Sequence, residues 1–597
     1  MSTEQEHDAE KPEGEDRSLD RRRFVALCGT LGVGGVALPQ LLAAATPAKP
    51  GTITRQDLSA VEDLTGLHFS DPQRELMQKG LAEQRQGYGR LRGVVLDNSV
   101  PPAFRFDPAP PTIVPETSAT SGASSAGERR PFRVSAAGTP AEAPEVPANL
   151  EDLAFLPITH LGRLVQSGKV RSVDLTRMYL ARLRRLDPVL HAVITYTEER
   201  ALEKAEAADR EIAGGRVRGP LHGIPWGAKD LLAVRGYPTT WGSVPYKDQV
   251  IPEDATVVER LDRAGAVLVA KLAVGELAWG DVWFGGMTRN PWKPEQGSSG
   301  SSAGSAATTA AGAVGFAIGT ETLGSIVSPS TRCGATGLRP TFGRVSRHGA
   351  MALAWSMDKI GTICRSVEDC AAVFDAIHGA DGKDETAVDR PFVWNPDLDV
   401  KRLRVGYVKA LFDAKPEKDR EETHALDLAV LDALRGLGVA LQPIDLPELP
   451  DSAISALRII LTAEGAAAFD ELTRSGRDDL MVRHKEENAW PNVFRQGRTI
   501  PAVEYIQANR VRTLLMRQMA QRMATVDAYV APSFGGDNVL ITNLTGHPAV
   551  VLPNGFRQDG TPASITFTGR LYGEAELLAL ARAYQDATGF HLKHPKL

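Results

Sequence analysis

Apolar and polar positions alternate with a different texture in successive parts of the chain. From residue 149 onward the pattern is regular. Ser172 stands where it can cap a helix on which Leu175, Tyr179, Leu183 and Leu186 form one apolar stripe at helical spacing. A second helix is expected over residues 198–212, and a third, between Asp254 and Gly265, feeds the run AVLVAK at 266–271, which reads as a buried strand. An alanine-rich helix at 305–313 and a short strand at 314–318 follow. Residues 450–526 read as mostly helical, most clearly at 464–469 and 505–523. Strands at 549–553 and 564–569, closed by a helix over 574–587, end the chain. Such alternation predicts an α/β fold, with a mainly parallel or mixed sheet covered by helices.

Upstream the texture changes. Residues 57–64 and 71–91 carry amphipathic helical spacing, the second opened by Asp71 and Pro72, so 46–100 is expected to be a helical accessory segment. Residues 101–148 are rich in Pro, Ala, Ser and Thr without periodicity, which predicts an extended linker. The first 20 residues are polar and acidic; Arg21, Arg22, Arg23, Phe24 and Val25 then precede a glycine-broken apolar run to Ala45. This pattern reads as a twin-arginine export signal over 1–45, with a cleavage site at Ala43, Ala44 and Ala45. The expectation is delivery by the twin-arginine export machinery to the periplasm or the exterior, without stable membrane insertion after cleavage.

Composition narrows the classes. The 597 residues carry a formal charge of −6, and no Lys/Arg cluster interleaved with aromatics suggests nucleic acid. Of four cysteines one lies in the signal, and Cys333, Cys364 and Cys370 do not make a disulfide framework, although one pair remains open. No His/Cys/carboxylate group has zinc spacing, and neither metal nor cofactor is expected.

The chemistry concentrates in residues 297–337, GSSGSSAGSAATTAAGAVGFAIGTETLGSIVSPSTRCGATG. Two glycine-bearing loops, 297–304 and 319–325, are joined by a helix and a strand, which brings many backbone N–H groups toward one point and favours an anion. Neither loop is a phosphate loop or a dinucleotide fingerprint, and no GxSxG elbow surrounds Ser325. A serine nucleophile here needs a base. His222, His348 and His547 lie near glycines or a proline; Lys229, ending the apolar stretch LHGIPWGAK, and Lys271, ending AVLVAK, can serve if burial lowers their pKa. The pattern alone leaves these open.

SGSSAGS at 299–305, GTETLGS at 319–325 and GIPWGAKD at 223–230 resemble, in order and spacing, the GGSSGGS, GTDxGGS and GxPxxxKD motifs of the amidase signature family of serine hydrolases. The resemblance runs from about Asn149 to His591. It implies a central mixed sheet of about eleven strands covered by helices, with residues 149–597 as the amidase domain. Carried over, it makes Lys229 the base, Ser301 a bridging serine on a cis peptide after Gly300, and Ser325 the nucleophile. The backbone amides of Thr322, Leu323, Gly324 and Ser325 would form the oxyanion hole. Leu323, Glu321 and Val327 depart from the family's glycine, aspartate and arginine, and the Leu323 side chain is expected to face substrate. Trp279, Trp283 and Phe284 are expected either in a substrate wall or in the core. The implied activity is hydrolysis of a small linear carboxamide through an acyl-enzyme. The competing readings are a glutamine amidotransferase A-type subunit, which an export signal opposes, and a silent exported binding protein, which the retained triad opposes. Many members are dimers, which leaves a homodimer open.

Overall fold

The computed structural model describes residues 53–94, 132–134, 145–416, 420–447 and 450–597. The expected export signal and most of the expected linker lie outside the described residues. Eleven strands form one sheet: β1 (Val193–Tyr196), β2 (Pro225–Lys229), β3 (Val267–Leu272), β4 (Phe316–Glu321), β5 (Thr336–Arg339), β6 (Lys359–Cys364), β7 (Val405–Val408), β8 (Leu441–Ile444), β9 (Ala528–Pro532), β10 (Ala549–Phe556) and β11 (Pro562–Gly569). Their order is β1-β3-β2-β4-β6-β5-β10-β11-β9-β7-β8. Parallel pairs join β3-β2-β4 and β9-β7-β8, and the remaining pairs are antiparallel, so the sheet is mixed.

β2 and β3 are buried along their whole length, as parallel strands covered on both faces must be. Trp226 of β2 stacks on Phe316 of β4, with ring centroids 5.9 Å apart. Gly227 is required at this crossing, because a Cβ there would lie 2.3 Å from Leu272 Cδ1.

Two N-terminal helices, α1 (Arg55–Thr65) and α2 (Asp71–Arg92), stand where the periodicity placed them. Helix α3 (Ser172–Leu190) carries the expected stripe, with Leu175, Tyr179, Leu183 and Leu186 all buried. Ser172, however, is its first residue and not its cap. The orphan N–H groups of Ser172 and Val173 donate to the Asp209 carboxylate at 2.6 and 3.1 Å, and Ser172 Oγ donates instead to Gly223 O at 2.8 Å. A carboxylate that accepts two first-turn donors also meets the positive end of the helix dipole, which a serine hydroxyl cannot match. Asp209 belongs to the next helix, α4 (Glu198–Ala213).

The helical cover consists mainly of α5 (Pro450–Ala468), α6 (Trp490–Gly497) and α7 (Ala502–Met523). Helix α2 packs directly on it. Arg90 Nε donates to Ser455 Oγ at 2.8 Å, Asn492 Nδ2 to Leu76 O at 3.0 Å, and Tyr88 and Leu91 are buried with Ile460 and Leu515 in one apolar cluster. Helix α2 therefore forms part of the cover.

Candidate active site

Strand β2 delivers Lys229 into the interior at its C-terminal end, where its side chain is fully buried. Nζ lies 2.9 Å from Ser301 Oγ, 3.1 Å from Ser302 Oγ, and 2.8 Å from Thr320 Oγ1. No carboxylate among the described residues lies within ion-pairing distance of it. Burial pushes the ammonium pKa down to about 7, against weaker opposition from the more distant Asp358 and Glu321 charges.

The two serines beside this amine differ in what their hydroxyls can still do. Ser302 Oγ donates to Thr320 O at 3.1 Å and accepts from Thr320 N at 3.2 Å, so its proton is committed. Among the described residues Ser301 Oγ has Lys229 as its only hydrogen-bond partner, which leaves its proton available to the amine lone pair. The Gly300–Ser301 peptide is cis, as the resemblance implies. Glycine is demanded at 300, since a Cβ would lie 1.8 Å from Gly280 O.

Beyond β4 the chain turns through Thr322–Ser325 with Gly324 at φ +80°, and then enters a short helix at Val327–Cys333. The buried Glu321 organises this turn. Its carboxylate accepts from Ile326 N and Val327 N at 2.9 and 3.0 Å, while Arg339 Nη1 and Asn543 Nδ2 donate to its other oxygen at 2.6 and 2.8 Å. Burial alone would raise its pKa, but Arg339 and these donors hold it down to about 2. Among the described hydrogen bonds, the amides of Thr322, Leu323, Gly324 and Ser325 donate to nothing in the protein. Four adjacent uncommitted N–H groups form the kind of concavity that receives an oxyanion. Thr322 Oγ1 donates to Asp358 Oδ1 at 2.6 Å, which fixes the start of the turn.

Ser325 is 8% exposed. Its backbone carbonyl accepts from Ser302 N at 3.2 Å, tying the two serine loops together, whereas no hydroxyl hydrogen bond joins Ser301 to Ser325. A cavity of about 370 Å³ adjoins this centre, and Thr320, Thr322 and Leu231 line it together with the charged side chains of Arg347, Asp358 and Asp384.

The other candidates lie elsewhere. Lys271 is equally buried but pairs with Asp230 at 2.7 Å. His222 stands against Glu211, and His547 is buried on Thr545 Oγ1. His348 reaches the cavity wall near Glu253. Trp283 is a core ring with Phe284 across it, Trp279 packs edge-on against Trp490 under Arg483, and Leu323 is 37% exposed at the surface. None of these four lines the cavity beside Thr320. Cys333, Cys364 and Cys370 are buried, unpaired thiols. Sequence reasoning missed Ser302, Thr320 and Asp358. Ser302 sits inside the quoted serine motif, so a signal for it was present.

The family model described as Amidase matches residues 174–538. The chain is 35% identical to the glutamyl-tRNA(Gln) amidotransferase A-type subunit of Geobacter metallireducens, over 74% of this chain and 99% of that protein. The corresponding subunit of Methylococcus capsulatus is 36% identical, over 73% and 98%. Among solved structures, the native peptide amidase from Stenotrophomonas maltophilia matches with a TM-score of 0.65 and 30% identity, over 74% of this chain and 98% of that one.

Proposed function

The chain belongs to the amidase signature family of hydrolases acting on C–N bonds, and from that premise we propose that it is an exported amidase that cleaves a linear carboxamide through a Ser325 acyl-enzyme. The observation that carries the reading is the buried Lys229 amine, 2.9 Å from Ser301 Oγ and without a carboxylate partner. An amine with a pKa of about 7 is neutral in about half of the molecules at neutral pH and can act as a base.

Lys229 takes the Ser301 proton as Ser301 takes that of Ser325. Ser325 Oγ attacks the carbonyl carbon, and the C=O electron pair moves onto oxygen, within reach of the 322–325 amides. Each such donor is worth about 3 kcal/mol in the transition state. Collapse breaks the C–N bond while the proton returns through Ser301 to the departing nitrogen. Water, deprotonated along the same route, then cleaves the Ser325 ester and releases the acid. The Ser301–Ser325 hydroxyl contact is the link that forms as substrate binds, since catalytic hydrogen bonds tighten in the complex. Ser301 is assigned as the relay, in preference to Ser302, because only its proton is uncommitted.

A panel of amides and esters tests this reading. Ser325→Ala is expected to lower turnover at least about a thousandfold and to abolish labelling by a fluorophosphonate; turnover that survives it overturns the mechanism. Export rests on the arginines at 21–23 and the apolar run after them. Replacing all three with lysine is expected to retain the protein in the cytoplasm, read by fractionation of the cells that make it. The identity to amidotransferase A-type subunits favours a second reading, as a component of such an enzyme. Isolation from native cells in a stoichiometric complex with further amidotransferase components would establish it.

A further inference from the structure

The charged side chains around the 370 Å³ cavity are engaged with partners, with one exception. Arg347 and Asp384 pair at 3.0 Å, Lys383 Nζ reaches Glu259 at 3.2 Å, and His348 stands 3.7 Å from Glu253. Asp358 accepts from Thr322 Oγ1, Leu353 N and Ala354 N at 2.6, 2.8 and 3.0 Å. Lys359 is buried and donates to Met357 O, and burial pushes its ammonium well below its ordinary range. Glu385 also lines the cavity, is exposed, and has neither a hydrogen bond nor an ion pair among the described residues. With Arg347 cancelling Asp384 and Lys359 held toward its neutral form, the cavity carries its unbalanced negative charge at Glu385.

The chain around Glu385 is braced. Asp384 accepts from Arg347 N and Nε at 2.8 and 3.0 Å. Thr386 donates its N–H and its hydroxyl to Asp384 Oδ1 at 3.0 and 2.8 Å, and its Oγ1 accepts from Arg347 Nη2 at 2.7 Å. Both neighbours of Glu385 are thus strapped to Arg347, and Arg347 Nη1 also donates to Trp355 O. Trp355 is 48% exposed, and it lines with Glu385 both this cavity and a second chamber of about 950 Å³, so the two residues stand where the cavities meet. A carboxylate in a cleft with low-dielectric walls attracts a cation, and the face of an indole ring adds to that attraction. An anionic substrate would be repelled there, and a neutral one would leave Glu385 unpaired.

We propose that the substrate is an amide bearing an organic cation, an ammonium or guanidinium group, with its carbonyl at Thr322–Ser325 and its positive charge between Glu385 and Trp355. This rests on the reading of Lys229, Ser301 and Ser325 given above and names the class of substrate they act on. Glu385 selects that substrate and takes no part in bond making.

The test uses the full chain and pairs of p-nitroanilides of one shape: ω-trimethylammonio acyl groups with spacers of two, four or six methylenes, each beside its neutral ω-tert-butyl counterpart. At one spacer or more, kcat/KM is expected to be at least about fivefold higher for the cation. Glu385→Gln is expected to cut that ratio at least about threefold, and Glu385→Lys to bring it below one. Trp355→Leu, on a different element, is expected to lower it by about twofold or more. The ratio is also expected to fall between about 50 and 500 mM salt, which a merely structural role for Glu385 would not produce. A smaller ratio at every spacer, or one unmoved by both Glu385 substitutions, overturns the proposal. The catalytic reading itself is judged on the amide and ester panel above. If no anilide is hydrolysed, calorimetric titration of Ser325→Ala with the same pairs decides the site, with at least about fivefold tighter binding of the cation expected and equal binding refuting it.

Discussion

Two lysines stand at the C-terminal ends of neighbouring parallel strands of the sheet, and both are fully buried: Lys229 as the last residue of β2 and Lys271 as the last but one of β3. Register separates their surroundings. Ala228 pairs with Lys271 and Lys229 with Leu272, so the two side chains leave opposite faces of the sheet. Lys271 finds Asp230 at 2.7 Å, with Pro238 O and Thr239 Oγ1 each at 2.6 Å. Lys229 finds three hydroxyls and a carbonyl. Burial lowers the pKa of both, but at Lys271 the Asp230 charge pulls against it, while at Lys229 the nearest opposing carboxylates act from a distance. Equal burial thus sets one amine directly against a carboxylate and the other among hydroxyls, and the difference is that one carboxylate.

The largest effects come from removing each amine in turn. Lys229→Met is expected to lower kcat/KM by about 10²–10⁴-fold, the range for losing a general base, while the protein stays folded. Lys271→Met leaves Asp230 buried beside Thr240 without its cation, and is expected to cost about 3–5 kcal/mol in urea unfolding. Adding Asp230→Asn to Lys271→Met is expected to recover much of that loss, because the stranded charge is then gone. The contrast collapses if Lys229→Met proves the more destabilising of the two. Linkage gives a second handle on the same pair. Between its folded value of about 7 and its ordinary 10.5, Lys229 binds a proton in the unfolded chain and not in the native one. Stability from this site therefore rises with pH across that window, by up to about 1.4 kcal/mol per unit, and falls as pH drops toward 7. Lys229→Met is expected to lose that slope, as read from unfolding curves at pH 7.5 and 9.5.

The contrast between the two lysines also marks how far the sequence could be read. AVLVAK and PWGAK declare themselves as strands through their apolar runs, and the sheet of eleven strands followed from the resemblance. Both lysines were visible as strand ends, but nothing in their spacing said which would meet a carboxylate, since that depends on a one-residue register between strands about 40 positions apart. The tasks of Thr320, Asp358, Arg339 and Asn543 were hidden for a similar reason, although Thr320 stands inside the quoted GTETLGS. All four are ordinary polar residues on separate elements, and they acquire roles only when the sheet and the cover bring them to Lys229, Thr322 and Glu321. Glu321 was read as a departure from an aspartate. The structure gives it a task, capping Ile326 and Val327 so that the four amides before them stay uncommitted. The Ser172 cap failed because helix α4 supplies a carboxylate, a tertiary partner stronger than the local one.

The smallest expected effect sharpens the comparison most, because it titrates the environment and leaves the base in place. A base that must be neutral gives a kcat/KM that is high above its pKa and falls about tenfold per pH unit below it, so the acid limb of the profile is expected near pH 7. Asp358 is the carboxylate that most opposes the burial of Lys229, and it also accepts from Thr322 Oγ1, Leu353 N and Ala354 N. Asp358→Asn keeps an acceptor for part of that network and removes the charge. With less to favour the ammonium, the Lys229 pKa falls and the acid limb moves to lower pH, by a fraction of a unit across screened distances. A structural disturbance of the turn would lower kcat/KM at every pH without moving the limb. A limb that moved upward would mean that Lys229 draws its pKa from something other than burial, and the contrast with Lys271 would lose its physical basis.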